Sequence, residues 1–177
     1  MGNRLKKLNP ALKNFIKNQK IFFVGTARTS GTVNVSPKGM DTFRIVNNNK
    51  IVWLNLTGSG NETAAHLLEN NRMTIMFCSF EKTPLILRLY GKAQIYHEND
   101  QIYKEQIGLF RDFTGARQII EMDINLVQTS CGYAVPFMEF KEERTQLNES
   151  DIKKGRAGVK KYWEEHNTLS LDGFKTL

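Results

Sequence analysis

Short runs of β-forming residues recur along the chain, each closed by turn chemistry, while helical spacing appears in only four places. Residues 21–27 are rich in β-formers, a Thr29-Ser-Gly31 turn follows, and residues 32–36 alternate apolar and polar positions, which predicts a hairpin. Residues 42–46 and 50–56, separated by three asparagines, predict a second. Residues 72–80 read as a buried strand, a turn near Pro84 returns the chain along residues 85–95, and residues 118–128 and 132–137 continue the β content. Helices are predicted where Asn9-Pro10 supplies a cap and a first-turn proline ahead of Leu12, Phe15 and Ile16, after the glycines at 58–60, over about 100–110, and over 148–166. Six or more strands joined mostly by hairpins, with helices outside them, predict a mainly β fold: an antiparallel barrel with peripheral helices.

Composition narrows the class. At 177 residues, 40% apolar and 24% charged, the chain has globular proportions and length enough to bury a core without disulfide or metal. No stretch approaches the ~20 apolar residues of a bilayer span. The first residues lack the apolar run of a secretory signal, so the expected compartment is the cytoplasm. Cys78 and Cys131, far apart and outside any Cys-x-x-Cys, are expected as free thiols.

The net charge of +7 is unevenly placed, because Arg4, Lys6, Lys7, Lys13, Lys17 and Lys20 precede the first acid. The rest of the chain is nearly neutral and carries no basic stretch interleaved with aromatics, which argues against a nucleic-acid partner.

Three places hold candidate chemistry. In Gly58-Ser-Gly-Asn-Glu-Thr63 a strand enters a glycine turn and then a helix, where free amides and the helix dipole suit a phosphate. Ser59 and Glu62 have capping-box spacing, so a plain, well-capped connection is the alternative. Ser36-Pro-Lys-Gly39 ends a strand with a hydroxyl, a fixed turn and a cation: either an anion contact or an ordinary surface turn. Arg88, between Leu87 and Leu89, is either a solvated outward charge or a cation for a ligand or partner subunit. His66, on the helix after the glycine turn, reads as a packing residue, with a minor ligand contact as the alternative. With no Gly-x-Ser-x-Gly and no His-Glu-x-x-His, no catalytic residue and no metal site is named.

Five short motifs in order carry a family resemblance: Phe22-Phe-Val-Gly-Thr-Ala27, Asn34-Val-Ser-Pro-Lys-Gly39, Gly58-Ser-Gly-Asn-Glu-Thr63 with His66-Leu, Leu87-Arg-Leu-Tyr-Gly91, and Ser130-Cys-Gly-Tyr-Ala-Val-Pro136. They resemble the pyridoxamine 5′-phosphate oxidase-like, FMN-binding split-barrel superfamily, and with Ser170-Leu-Asp-Gly173 an uncharacterised branch of it, from about residue 10 onward. The resemblance implies a six-stranded split barrel, a homodimer with flavin at the subunit interface, and an FMN-dependent oxidoreductase. A flavin-binding sensor, or a carrier of deazaflavin or haem, is the alternative.

It places the Ser36, Pro37, Lys38 and Gly39 turn and Leu54, Asn55 and Leu56 along the isoalloxazine and ribityl chain. Gly60, Asn61 and Thr63, assisted by Lys38, fall on the phosphate, and Arg88 comes from a neighbouring strand or the other subunit. Charge and helical spacing mark a basic helical arm at 1–20, and the resemblance implies a flavin-binding barrel at 21–147 with a packed C-terminal helix and tail at 148–177. The Arg-rich C-terminal segment and the Arg/Ser-Arg-Lys clamp of true pyridoxamine-phosphate oxidases have no counterpart here. The substrate is therefore expected to be something other than pyridoxamine phosphate.

Overall fold

The computed structural model describes residues 2–176. In chain order the elements are β1 (Arg4–Leu5), α1 (Pro10–Asn18), β2 (Phe22–Ala27), β3 (Val33–Lys38), β4 (Phe43–Ile45), β5 (Lys50–Leu56), α2 (Glu62–Glu69), β6 (Arg72–Cys78), β7 (Ile86–His97), α3 (Gln101–Gln106) with a 3-10 turn at Ile107–Leu109, β8 (Ala116–Ser130) and α4 (Gln146–His166). All strand pairings are antiparallel in one curled sheet of order β3-β2-β6-β7-β8-β5-β4, with β1 added beside β8. The mainly β class stands. The sheet has eight strands rather than the six the resemblance implies: β4 falls within the predicted 42–46 segment, whereas the two-residue β1 is too short to leave a periodic signal.

The two edge strands, β3 and β4, are consecutive in the chain, so the curled sheet is bridged by a four-residue corner instead of by hydrogen-bonded closure. That corner requires φ of 61° at Met40 and 56° at Asp41, uncommon for residues with a Cβ. It is held by the Arg44 guanidinium, which donates to both Asp41 carboxylate oxygens at 2.7 and 2.9 Å, and by the Thr42 hydroxyl on the Gly39 carbonyl at 2.7 Å.

Strand alternation builds two cores. Phe22, Val24, Ile51, Trp53, Ile75, Phe77, Leu87, Leu89, Ile120 and Met122 fill the concave side, where Phe22, Phe43, Trp53 and Phe77 meet largely edge to face. On the opposite face of the β5–β8 pair, Val52, Leu54 and Ile119 pack with Tyr103, Phe110 and Phe113 beneath α3. Both faces of β5 are thus covered, which explains its nearly unbroken apolar run.

Two expectations are corrected. The basic N-terminal segment is not a separate arm: Arg4 and Leu5 pair with Gln128 and Val127, and Leu8, Leu12 and Ile16 are buried in the concave core, leaving the lysines outside. Residues 132–137 form no strand; after β8 the chain turns at Gly132 and crosses the surface with Tyr133 and Phe137 about four-fifths exposed. Helix α4 begins two residues before its expected start and is broken at Gly155, whose φ of 67° and ψ of 168° suit only glycine. No helix of the described residues is long and apolar enough to cross a membrane.

Candidate functional site

Alternation along β3 sends Asn34, Ser36 and Lys38 inward and leaves Val33, Val35 and Pro37 outside. Facing that row is Asn55, next to the last residue of β5, after which the chain passes through Gly58, Ser59 and Gly60 into α2. A cleft of about 530 Å³ lies between them, walled on its third side by Leu169, Ser170 and Leu171 of the C-terminal tail. The glycine turn and the lysine corner therefore converge on one cavity.

The cleft floor is a buried polar network. Asn55 is 2% exposed and its amide nitrogen donates to Gln118 Oε1 at 2.9 Å and Asn61 Oδ1 at 3.3 Å. Asn34 donates to the hydroxyls of Thr63 at 3.3 Å and Thr26 at 3.4 Å, and Thr26 lies 3.0 Å from Nδ1 of His66. Thr63 accepts from Asn34, which leaves its own O–H proton as a donor for another partner. His66, 1% exposed, sits behind this network and packs rather than lines the cavity.

Helix α2 begins at Glu62 with Asn61 as its N-cap residue, so the capping box is not formed. Tertiary partners occupy the side chains at the helix start instead: Asn61, the actual N-cap residue, accepts from Asn55, and the Glu62 carboxylate accepts the Leu171 N–H at 3.0 and 3.2 Å. The Asn61 carbonyl accepts from Ala64 and Ala65, and the amides of Glu62 and Thr63 precede the first intrahelical bond. The helix front stays open, as an anion requires.

Two cations enter the cleft. Burial, reinforced by the charge of Arg117, lowers the Lys38 pKa from 10.5 to about 8, and its Nζ lies 5.1 Å from the centre of the Trp53 ring. Arg117 is 7% exposed, and burial lowers its pKa to about 10. Its Nη1 donates only to neutral oxygens, the Gly60 carbonyl at 3.2 Å and Asn167 Oδ1 at 2.6 Å. Neither cation forms an ion pair with a carboxylate among the described residues. Ser36 Oγ and Arg117 Nε are buried there without a hydrogen-bond partner. Two desolvated cations and two orphaned polar atoms around one cavity are costly unless an anion completes them.

Of the residues expected from sequence, Ser36, Lys38, Asn55, Gly60, Asn61 and Thr63 line the cleft. Leu54 and Leu56 do not: alternation sends their side chains to the second core under α3. Pro37 and Gly39 border a neighbouring groove of about 680 Å³ that meets the cleft at Lys38 and is also lined by Met40, Phe80, Met138 and Phe140. Arg88 lies on the outer face of the sheet, its Nη1 donating to Ser130 Oγ at 3.0 Å, so this chain's Arg88 does not enter this chain's cleft.

Arg117 itself escaped the sequence reading. Asn55 pairs with Gln118 and Leu56 with Ala116, so Arg117 occupies a bulge with no cross-strand partner, and the bulge turns it into the cleft. A cation at the head of an apolar strand was the one visible signal, and it did not indicate which face the residue takes.

Residues 8–131 match the family described as pyridoxamine 5′-phosphate oxidase. The chain is 34% identical over 191 residues to the pyridoxamine 5′-phosphate oxidase family protein ustO of Aspergillus flavus, covering 97% of this chain and 76% of that one. Among solved structures it is similar to a Lactobacillus delbrueckii protein described under the same enzyme name, with TM-score 0.57, 18% identity and coverage of 70% of this chain and 94% of that one. HupZ of Group A Streptococcus follows at TM-score 0.53 and 20% identity, covering 67% and 91%. At these identities the structural likeness is one of fold.

Proposed function

The chain belongs to the pyridoxamine 5′-phosphate oxidase family, and on that premise we propose that it is an FMN-binding oxidoreductase. The observation that carries this reading is the pair of acid-free cations, Lys38 and Arg117, facing the open start of α2 across one cleft. A phosphate monoester dianion matches both charges, and the free donors of Ser36, Thr63 and the first-turn amides supply its remaining hydrogen bonds. Lys38 borders both the cleft and the groove lined by Phe80, Met138 and Phe140, whose apolar walls suit the rest of a flavin or a substrate beside it.

FMN, when bound, supplies the redox chemistry; the protein's residues bind, orient and set the electrostatics around it. Lys38 and Arg117 hold the phosphate, and the Asn55–Gln118–Asn61 network keeps the turn that frames it in place. A substrate other than pyridoxamine phosphate fits the tail, which closes the cleft with Leu169, Ser170 and Leu171 instead of arginines.

A homodimer belongs to the same proposal. Direct cross-strand partners form one outer row, Pro37–Phe23–Met76–Arg88–Gln128, and beside it Val35–Gly25–Thr74–Tyr90–Leu126. Val33 and Val35 on the edge strand are 71% and 65% exposed. A second copy covering this face would bury them and bring its Arg88 to the interface. Sedimentation of Val35→Glu against wild type tests this, with a dimer expected only for the latter.

The flavin reading is tested by the absorption spectrum of the purified protein after incubation with FMN. The yellow spectrum of an oxidised flavin at one per chain, lost in Lys38→Ala/Thr63→Val with the fold retained by circular dichroism, is the expected result. Stoichiometric flavin in that double variant would show the phosphate to lie elsewhere. Bleaching of the bound flavin by NADH or NADPH distinguishes an oxidoreductase from a carrier.

A further inference from the structure

Asn167 ends α4 as its C-cap residue, with its N–H on the Trp163 carbonyl at 2.8 Å, and is 2% exposed. Its side-chain amide is used at both ends. Oδ1 accepts from Arg117 Nη1 at 2.6 Å, and Nδ2 donates to the Gly58 carbonyl at 3.2 Å. Its own carbonyl accepts the Thr176 hydroxyl, which ties the tail back onto the same residue. One side chain therefore holds both the buried cation and the glycine turn that frames the cleft.

The chemistry of that side chain matters more than its shape. Aspartate has nearly the same size and would accept from Arg117 equally well, but it would form a buried ion pair and consume the charge. The amide aims the guanidinium and leaves its charge whole. Arg117 Nε is buried without a hydrogen-bond partner, and no acid among the described residues balances the guanidinium.

We infer that Asn167 is a positioning and specificity-determining residue. It holds Arg117 toward the cleft through a neutral acceptor, so that Arg117 and Lys38 together present two full positive charges to a phosphate monoester dianion. This rests on the reading that the cleft takes the FMN phosphate. It adds the reason the site prefers a dianion to a neutral or singly charged ligand, and assigns that preference to a residue of α4 some fifty positions beyond the arginine it serves.

The test titrates FMN, riboflavin and inorganic phosphate into wild type, Asn167→Asp and Asn167→Ala. Asn167→Asp is expected to weaken FMN at least tenfold and to leave riboflavin, which lacks the phosphate, within about twofold. Asn167→Ala removes the aim but not the charge, so its loss of FMN should be smaller, about three- to fivefold. A purely structural role gives the reverse order, since alanine deletes more contacts than aspartate, and moves riboflavin together with FMN. FMN binding by Asn167→Asp within twofold of wild type overturns the inference while the phosphate reading stands. If Asn167→Asp does not fold, an unchanged FMN-to-riboflavin affinity ratio in Asn167→Ala overturns it equally. A wild-type chain that binds neither FMN nor phosphate removes both.

Discussion

The β5–β8 strand pair carries lysines or arginines at both ends, and the two ends treat them oppositely. At one end Lys50 reaches Glu121 at 2.6 Å and Asp123 at 3.6 Å, and the hydrogen bond to Glu121 raises its pKa. At the other end Arg117, with Lys38 facing it from β3, finds only carbonyl, amide and aromatic neighbours, and burial lowers both pKa values. The partly exposed end has its charges balanced within the chain. At the buried end neither cation is ion-paired among the described residues, and Glu62, which lines the same cleft, turns its carboxylate to the Leu171 N–H. A cation kept buried and unpaired points to an anion from outside, whereas a paired surface lysine contributes little to anything but solubility.

The comparison is broken most directly by deleting one charge at each end. Arg117→Met should keep the fold, since an apolar side chain replaces a buried charge, and should weaken FMN by about a hundredfold, the upper range for a charge-assisted hydrogen bond. Fluorescence quenching titration measures this, and a loss below threefold would mean that Arg117 does not meet the ligand.

A smaller effect comes from pH. The unliganded chain loses the Lys38 charge as pH rises through about 8, while a bound anion favours the charged form, so binding takes up a proton above that pH. FMN affinity should therefore be flat between about pH 7 and 8 and fall by up to about tenfold per unit above it. In Lys38→Met that slope should vanish, and its persistence would assign the titration to another group.

The smallest effect is expected at the paired end. Lys50→Met should leave FMN affinity within about twofold and change stability by no more than about 1 kcal/mol, measured by urea unfolding. A tenfold loss of FMN there would mean that the two ends are electrically coupled through the strands and would undo the distinction.

Much of this was legible before any coordinates. The alternation over 32–36 predicted the strand that carries Ser36 but put Lys38 in a turn beyond it, whereas β3 runs on through Lys38; the glycine-rich exit from β5 predicted the helix start that faces it. Other features were not legible. Leu54 and Leu56 sit in a strand buried on both faces, and an unbroken apolar run does not say which face a given residue takes. Arg117 depends on a one-residue bulge, which reverses facing and leaves no compositional trace. Asn167 lies far along the chain from the arginine it holds, beyond the reach of any local pattern.

The amino-acid order by itself determined where most strands, turns and helices form, because those depend on side-chain periodicity and on local backbone preferences at Gly, Pro and Asn; β1 and the absence of a strand at 132–137 were exceptions. It also placed most of the basic charge near the N-terminus and left the remainder almost neutral. Only the tertiary structure decided which charges are solvated, which are neutralised by acids and which are buried without a counter-charge. Burial and pairing are sums over neighbours brought together by the curl of the sheet and the return of the C-terminal tail, and no single segment of the chain contains them.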